Sequence, residues 1–335
     1  MIDEQFTKEL KDTKNLLAFS AGIDSTALFH ILLQNNVPFD AALVNYQARE
    51  SSFNEENYAR ELCDRHNKKL FIKRVKVCGG GFEKKARTIR YDFFEEIISE
   101  HNYETLITAH QLNDWLEWFL MQICRGAGFF ELLGMRRVER REGYTLARPL
   151  LGTTKEELIR FLDESKNCAF TDESNTNECF LRNMFRKKYA APMIRDFPAG
   201  IKRSFAILQK EREQLETKEF LLKYEKLFVI DRFAIDALHQ ADMAAKRLGI
   251  VMTGKERALL EEEESFVAGR SVAIAKNDRY IFVSPYVKNV MPKDIREQFR
   301  KLRIPSKTRG YIYEAKERLL PLLLDMLSAQ ISTLA

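Results

Sequence analysis

Cysteine is scarce and unpaired in this chain of 335 residues: Cys63, Cys78, Cys124, Cys168 and Cys179 include no Cys-x-x-Cys. An odd, scattered set argues against a disulfide scaffold, a zinc ribbon and an iron–sulfur centre. Long apolar runs are missing too. The longest late one, 319–327, is interrupted by Pro321 and Asp325 and is far too short to cross a bilayer. The opening Met1-Ile2-Asp3-Glu4-Gln5-Phe6 lacks the basic stretch and apolar core of a secretory signal. A cytoplasmic protein with no membrane partner is therefore expected. There is no Gly-Lys-Ser/Thr Walker loop, no three-glycine dinucleotide fingerprint, and no internal repeat or low-complexity tract.

What is present is an ordinary globular composition with a formal net charge of +5. That balance is compatible with a polyanionic partner without requiring one. The length suffices for two domains with substantial cores. Strand-like runs at 15–19, 40–46, 69–74 and 105–110 alternate with helix-like runs at 24–36, 53–67, 83–101 and 112–125. The alternation predicts an α/β fold, a doubly wound parallel sheet with helices on both faces. Ligands bind such sheets at the carboxyl ends of strands. The Ser20 loop, the loop after Tyr46 and the His110 segment should thus meet in one crevice.

The alternation fades after about Leu150. A helix at 155–166, a polar loop at 171–177, a basic stretch at 182–189 and a long charged helix at 198–225 follow. Short strand candidates come next, at 227–230 and 233–235, then an acidic helix face at 259–264. The runs 271–274 and 280–284 flank Ala275-Lys276-Asn277-Asp278-Arg279, a good hairpin turn, and 292–309 is rich in Lys and Arg. The expected organisation is a catalytic domain over 1–195, a helical linker over 196–226 and a smaller α+β accessory domain over 227–335.

The segment Ser20-Ala21-Gly22-Ile23-Asp24-Ser25 joins an apolar strand to a helix. A small-residue turn of this kind exposes backbone N–H groups at the helix's positive end, a ready phosphate site. Ser20 and Ser25 add hydroxyl donors, and Asp24 can cap the helix or meet a bound cation. An ordinary capped turn would have the same composition. The hexapeptide resembles the pyrophosphate-binding Ser-Gly-Gly-x-Asp-Ser of the PP-loop ATPases, with Ala21 in place of the first glycine. Alanine fits there if the position needs no positive φ.

A second constellation is Thr108-Ala109-His110-Gln111-Leu112-Asn113-Asp114-Trp115-Leu116-Glu117. If the helix begins near His110, then His110, Asp114 and Glu117, spaced by four and three, share one face. That face could hold a magnesium ion or place a carboxylate base beside a substrate. A solvated polar helix face is the plain alternative. Cys124-Arg125-Gly126-Ala127-Gly128 reads as a helix C-cap followed by a turn.

Taken in order, these segments resemble the tRNA(Ile)-lysidine synthetase family. His110 to Asp114, Glu117, Arg125-Gly126-Ala127-Gly128 and Leu133-Gly134-Met135 are similar to its His-His-x-Asp-Asp-x-x-Glu-Thr, Arg-Gly-x-Gly and Leu-x-Gly-Met. Val44-Asn45-Tyr46-Gln47-Ala48-Arg49, Ala86-Arg87 with Arg90-Tyr91, and Arg148-Pro149-Leu150-Leu151 add three more motifs. Asp172-Glu173-Ser174-Asn175 with Phe180, Arg182, Asn183 and Arg186 adds a fourth. The resemblance covers roughly the first 190 residues. The chain departs from the family at Tyr46, Gln111 and Asn113, which shifts the main acid–base or metal role to Asp114 and Glu117.

The resemblance implies a two-step ligase acting on the wobble cytidine of the minor tRNA(Ile) with anticodon CAU. ATP would adenylate O2 of the base with release of pyrophosphate, and free L-lysine would then displace AMP to give lysidine. It further implies ATP binding by Ser20, Ala21, Gly22, Ile23, Asp24 and Ser25, and catalysis by Asp24, Asp114 and Glu117. Mg²⁺ would be held through Asp24, Asp114 or Glu117. Substrate and tRNA contacts would come from Arg49, Arg87, Arg90, His110, Arg125, Arg182, Asn183 and Arg186. The chain could act as a homodimer. Another PP-loop ligase, such as a tRNA thiolase or an amidotransferase-type synthetase, and a non-catalytic tRNA-binding protein remain as alternatives.

Overall fold

The computed structural model describes residues 2–47, 51–77, 81–167, 181–217 and 220–328. The chain forms two compact units, Met1–Lys210 and Glu211–Ala335, and the division falls inside the 196–226 segment.

In the first unit, helix α1 (Glu4–Lys11) precedes strand β1 (Asn15–Ala18) and helix α2 (Ile23–Gln34). Then follow β2 (Phe39–Asn45), α3 (Ser51–Arg65), β3 (Leu70–Arg74), α4 (Phe82–His101), β4 (Thr105–Ile107) and α5 (Leu112–Ile123). After α6 (Phe129–Leu132), the hairpin β5 (Val138–Arg141) and β6 (Tyr144–Ala147) leads to α7 (Lys155–Glu164). Helix α8 (Leu181–Phe185), a π-helical turn (Arg186–Ala190), α9 (Ala191–Asp196) and α10 (Pro198–Leu215) close the unit's helical side.

The sheet order is β3-β2-β1-β4-β6-β5, parallel except for β5 at the edge. Alternate side chains feed two cores, as the pleat requires. Leu17 and Ile107 face α1, α2, α3 and α7, while Leu16 and Leu106 face α4. Helix α2 is apolar over most of its circumference, and residues 25–32 are all buried. The four strand–helix pairs read from the sequence are present within a few residues of their expected ends. Helix α1 and the β5–β6 hairpin were not foreseen. The hairpin is short, and its β5 carries only Val138 among charged residues, so alternation gives no signal there.

In the second unit the strands are β7 (Leu222–Tyr224), β8 (Leu227–Asp231), β9 (Ser265–Ala268), β10 (Val272–Lys276) and β11 (Tyr280–Pro285). They form an antiparallel sheet in the order β7-β8-β11-β10-β9. Phe228 and Ile230 turn toward α11 (Ala237–Arg247) and α12 (Gly254–Glu262). Leu227 and Val229 turn toward α13 (Lys293–Lys301), α14 (Arg309–Glu314) and α15 (Lys316–Ser328). The expected turn is in place: Asn277 Oδ1 accepts from the backbone N–H groups of Arg279 at 3.0 Å and Tyr280 at 2.7 Å. Two expectations need correction. The helix expected over 198–225 stops at Leu215, and 222–224 is β7 instead. Residues 233–235 form a turn rather than a strand, with Phe233 and Ile235 exposed, because Asp231 Oδ1 accepts from Phe233 N at 2.9 Å and turns the chain.

One motif glycine has a packing explanation. A Cβ on Gly134 would lie 2.3 Å from Trp118 Nε1, and that indole donates to Glu131 O at 3.1 Å. Gly134→Ala should therefore push the indole off its seat and cost ~1–3 kcal/mol, as overpacking does. A red-shifted tryptophan emission and a lowered Tm would show it, whereas an unchanged Tm would mean that the ring moves freely.

Candidate active site

Strand β1 lies between β2 and β4, so the loops after β1 and β4 open onto the switch point of the sheet. The loop after β1 is tightly wound. Ser20 Oγ and Ser25 Oγ lie 3.0 Å apart, Ser20 N donates to Ser25 Oγ at 3.3 Å, and Ser25 Oγ donates to Gly22 O at 3.1 Å. Ala21 has φ +60 and is fully buried. The condition under which alanine fits without strain is thus not met. The turn needs the left-handed conformation, an L-residue there costs ~1–2 kcal/mol, and burial of the methyl group offsets part of that. Gly22, by contrast, has φ −74 and is the N-cap of α2 without any side-chain cap. The first N–H groups of α2 are therefore left for a ligand.

Asp24 does not cap the helix. Its Oδ1 is buried and has no hydrogen-bond partner. Burial, and then the neighbouring Asp114 carboxylate, push the Asp24 pKa up to about 6, against opposing contributions from Lys155 and Arg186. These four charges gather the start of α2, the start of α5, the start of α7 and the π-helical turn into one site.

Helix α5 starts at Leu112 with Gln111 as its N-cap. Gln111 Oε1 accepts from Asn113 N at 2.6 Å, and Gln111 N donates to Asp114 Oδ2 at 3.1 Å. This reciprocal cap fixes Asp114. It also places His110 outside the helix, in extended backbone, so the expected three-residue face reduces to Asp114 and Glu117. His110 Nδ1 lies 3.0 Å from Thr108 Oγ1. Burial above all, with repulsion from Arg148, Arg90 and Arg182, lowers its pKa to about 4 against the pull of Asp114, so the ring is neutral at pH 7.

Glu117 is almost wholly buried and grips two arginines. Its Oε1 accepts from Arg182 Nε, and its Oε2 accepts from Arg186 Nε at 2.9 Å. Asp114 Oδ1 meets Arg186 Nη2 at 3.3 Å and Arg182 Nη2 at 3.5 Å. Burial raises the Glu117 pKa, opposed by the two guanidinium groups. The result is a two-carboxylate, two-guanidinium cluster beside the Ser20 loop. Arg182 and Arg186 lie near the π-helical turn, a local widening often found at functional sites.

The other expected contact residues are spread more widely. Arg90 is half-buried, and its charge reaches both His110 and Tyr46. Tyr46 donates its hydroxyl to Ala86 O at 2.9 Å, tying the end of β2 to α4. Arg87 is exposed and stacks over the Tyr91 ring at 4.8 Å. Arg125 is exposed in the turn after α5, roughly 16 Å along the helix from Asp114 at ~1.5 Å per residue. Asn183 is half-buried in α8. Arg49 and the motif at 172–175 with Phe180 lie outside the described residues.

Further buried polar residues brace the elements that carry the motifs. Asn45 Nδ2 donates to the buried Glu56 at 2.9 Å, and Glu56 also pairs with Arg74 at 2.6 Å and Arg60 at 2.8 Å. The Arg74 hydrogen bond, with those from Asn45 and Arg60, holds the Glu56 pKa down at about 2. Arg148 is buried, donating to Arg136 O at 2.7 Å and Glu139 Oε2 at 2.9 Å, which makes the Arg-Pro-Leu-Leu arginine a fastener of the β5–β6 hairpin. Asn113 Oδ1 accepts from Lys155 N at 3.1 Å. Sequence patterns alone do not reveal the pairings of Glu56 with Arg74 or of Asn113 with Lys155, which join residues 18 and 42 positions apart.

Residues 2–191 match the PP-loop domain family. Over 315 residues the chain is 40% identical to the tRNA(Ile)-lysidine synthase of Campylobacter jejuni (strain RM1221), covering 94% of this chain and 97% of that one. The chain belongs to the tRNA(Ile)-lysidine synthase family. The Wolinella succinogenes tRNA(Ile)-lysidine synthase is likewise 40% identical over 318 residues, 94% of this chain and 97% of its own. Among solved structures, the U34-tRNA thiolase NcsA from Methanococcus maripaludis with its [4Fe-4S] cluster superposes with a TM-score of 0.52 at 14% identity. It covers 64% of this chain and 80% of that one, and the likeness is one of fold.

As a member of the tRNA(Ile)-lysidine synthase family the chain is an ATP-using, tRNA-modifying ligase. Its carboxylates suit Mg²⁺. Among the described residues no group of three or more His, Cys, Asp and Glu side chains could cage a metal. Mg²⁺, however, is usually bound by one or two carboxylates together with substrate phosphates. Asp24, with an orphaned buried oxygen and Asp114 nearby, fits that pattern. Among the described residues no helix is long and apolar enough to cross a membrane.

Proposed function

We propose that this chain joins the ε-amine of free L-lysine to C2 of the wobble cytidine of the tRNA(Ile) with anticodon CAU, giving lysidine. The observation that carries the reading is the uncapped start of α2 beside an unpartnered Asp24 carboxylate, facing Asp114, Arg182 and Arg186. In the first step, cytosine O2 forms a bond to the α-phosphorus of ATP and the bond to pyrophosphate breaks. The α2 N–H groups and the Ser20 and Ser25 hydroxyls receive the leaving pyrophosphate. Asp24 would hold Mg²⁺, which would supply neutralisation of phosphate charge when bound. In the second step, the lysine nitrogen bonds to C2, the C2–O2 bond breaks, and AMP leaves with that oxygen.

Free lysine has an amine pKa of ~10.4 and must lose a proton before it attacks. Asp114 is the better placed base. Its side chain is 13% exposed, its Oδ2 accepts a backbone N–H at 3.1 Å and its arginine contacts through Oδ1 are 3.3 and 3.5 Å, whereas that of Glu117 is 1% exposed with each oxygen gripped by an arginine. Arg182 and Arg186 are poised to stabilise phosphate charge as it develops. The wobble base must leave the anticodon stack to enter the site, which a single-stranded loop permits.

The substrate claim rests on the base. A pocket built for cytosine reads its exocyclic N4 donor, and a mismatched group leaves a buried partner unpaired. Changing the wobble C to U should lower lysine incorporation by orders of magnitude. Overall tRNA binding should weaken far less, because most affinity comes from backbone contacts. Incorporation and binding measured side by side on the two transcripts test this, and equal incorporation into both would refute action on the wobble cytosine.

A further inference from the structure

Lys155 is the first residue of α7, half-buried, and was not among the residues expected to act. Two bonds fix where it stands. Leu112 N donates to Thr153 O at 2.9 Å, and Lys155 N donates to Asn113 Oδ1 at 3.1 Å, so the start of α7 is stapled to the start of α5 next to Asp114. Thr154 and Glu157 form a reciprocal cap that holds the first turn of α7 rigid. Its ammonium makes no hydrogen bond or ion pair among the described residues. Yet its charge is felt at Asp24, whose own Oδ1 is likewise unpartnered. A half-buried ammonium and a buried carboxylate whose charges interact without a hydrogen bond leave polar atoms unmet on both groups. Asp24 itself stands in the first turn of α2, whose start is uncapped. Phosphate oxygens, together with a cation held by Asp24, would satisfy all three.

We propose that Lys155 is a phosphate-binding side chain of the ATP site, delivered by Asn113 acting as a polar staple between α5 and α7. The assignment rests on the ATP site lying at the Ser20 loop. It also gives the Asn113 departure a role. An amide accepts from Lys155 N as a carboxylate would, without adding a third negative charge beside Asp24 and Asp114.

Hydrogen bonds to charged groups are worth enough that Lys155→Ala should reduce kcat/KM for ATP by roughly 10–100-fold. Lys155→Arg should recover much of the loss, and the KM for lysine should stay within about twofold. Calorimetric titration with ATP and with inorganic pyrophosphate should show weakened binding of both to Lys155→Ala, at an unchanged Tm. Asn113→Leu should weaken ATP binding in the same direction. Ser20→Ala is measured in parallel. If Ser20→Ala binds ATP less well and Lys155→Ala binds both ligands like wild type, the Lys155 assignment is overturned and the ATP site stands. If Ser20→Ala also binds like wild type, the location of the ATP site itself falls. If Lys155→Ala loses affinity only in proportion to a lowered Tm and Arg does not rescue it, the residue is structural and the assignment is likewise overturned.

Discussion

Asp24→Asn should cut pyrophosphate release sharply while making the ligand-free protein more stable. The Asp24 carboxylate has an orphaned buried oxygen, and its pKa of about 6 stands above the ordinary 3.8. Below pH ~3 the group is protonated whether folded or unfolded, and it imposes no penalty. As pH rises, the unfolded chain loses its proton first, so stability falls through the interval up to about 6 and stays lowered above it. That interval corresponds to ~3 kcal/mol at neutral pH. An amide has no charge to desolvate but still needs partners, so a net gain of ~1–2 kcal/mol is expected. Thermal melts of both proteins should differ near pH 7.5 and converge near pH ~3. MgATP should raise the wild-type Tm and leave the variant's unchanged, since only a competent site couples binding to folding. Activity should drop by about 10²–10³-fold, the size of losing one preorganised charge partner. A variant that releases pyrophosphate at the wild-type rate would remove Asp24 from the reaction. A variant less stable than wild type would mean that the carboxylate has a partner after all.

The sheet was legible in the sequence because its central strands β1, β2 and β4 are largely buried on both faces. Continuous apolar runs such as Asn15-Leu16-Leu17-Ala18 need no alternation to be seen. The loops after β1 and β4 could then be assigned to one crevice from topology alone. The short β5–β6 hairpin was not legible, since a strand reading Val138-Glu139-Arg140-Arg141 carries no periodic signal. At Ala21 the sequence left the backbone open, and the fold holds it at φ +60 in a turn set by Ser20, Gly22 and Ser25 around it. At His110 the spacing misled. Spacing put it on the face of Asp114 and Glu117, but Gln111 caps the helix and leaves it one residue outside. Lys155 left no local trace, because its neighbours are set by a side-chain bond to a residue 42 positions earlier.

The pairing of carboxylates with arginines separates two roles that the sequence could not distinguish. Glu117 has both oxygens engaged by Arg182 and Arg186 and almost no exposure, which suits it to positioning the two guanidinium groups. Removing it takes from two partly buried cations their buried carboxylate partner and leaves the longer contacts to Asp114 in place. Breaking a buried pair typically costs 3–5 kcal/mol, and partial solvation of the arginines brings the expectation for Glu117→Ala to ~3 kcal/mol. Both half-reactions should then fall together by at least ~100-fold, because misplaced arginines serve neither. Glu117→Gln keeps the shape and two acceptor lone pairs, and should recover most of the stability but little of the rate. Asp114→Ala should behave differently. It removes the proposed base but not the pyrophosphate site, so pyrophosphate release in a single turnover should survive while lysine incorporation drops by 10²–10⁴-fold, the range for general-base loss. The two readouts are followed on one reaction with tRNA, ATP and labelled lysine. If Glu117→Ala keeps its Tm and pyrophosphate release but loses lysine transfer alone, Glu117 is the base and the roles are reversed. If Asp114→Ala transfers lysine at the wild-type rate, neither the base assignment nor the separation of the two carboxylates survives.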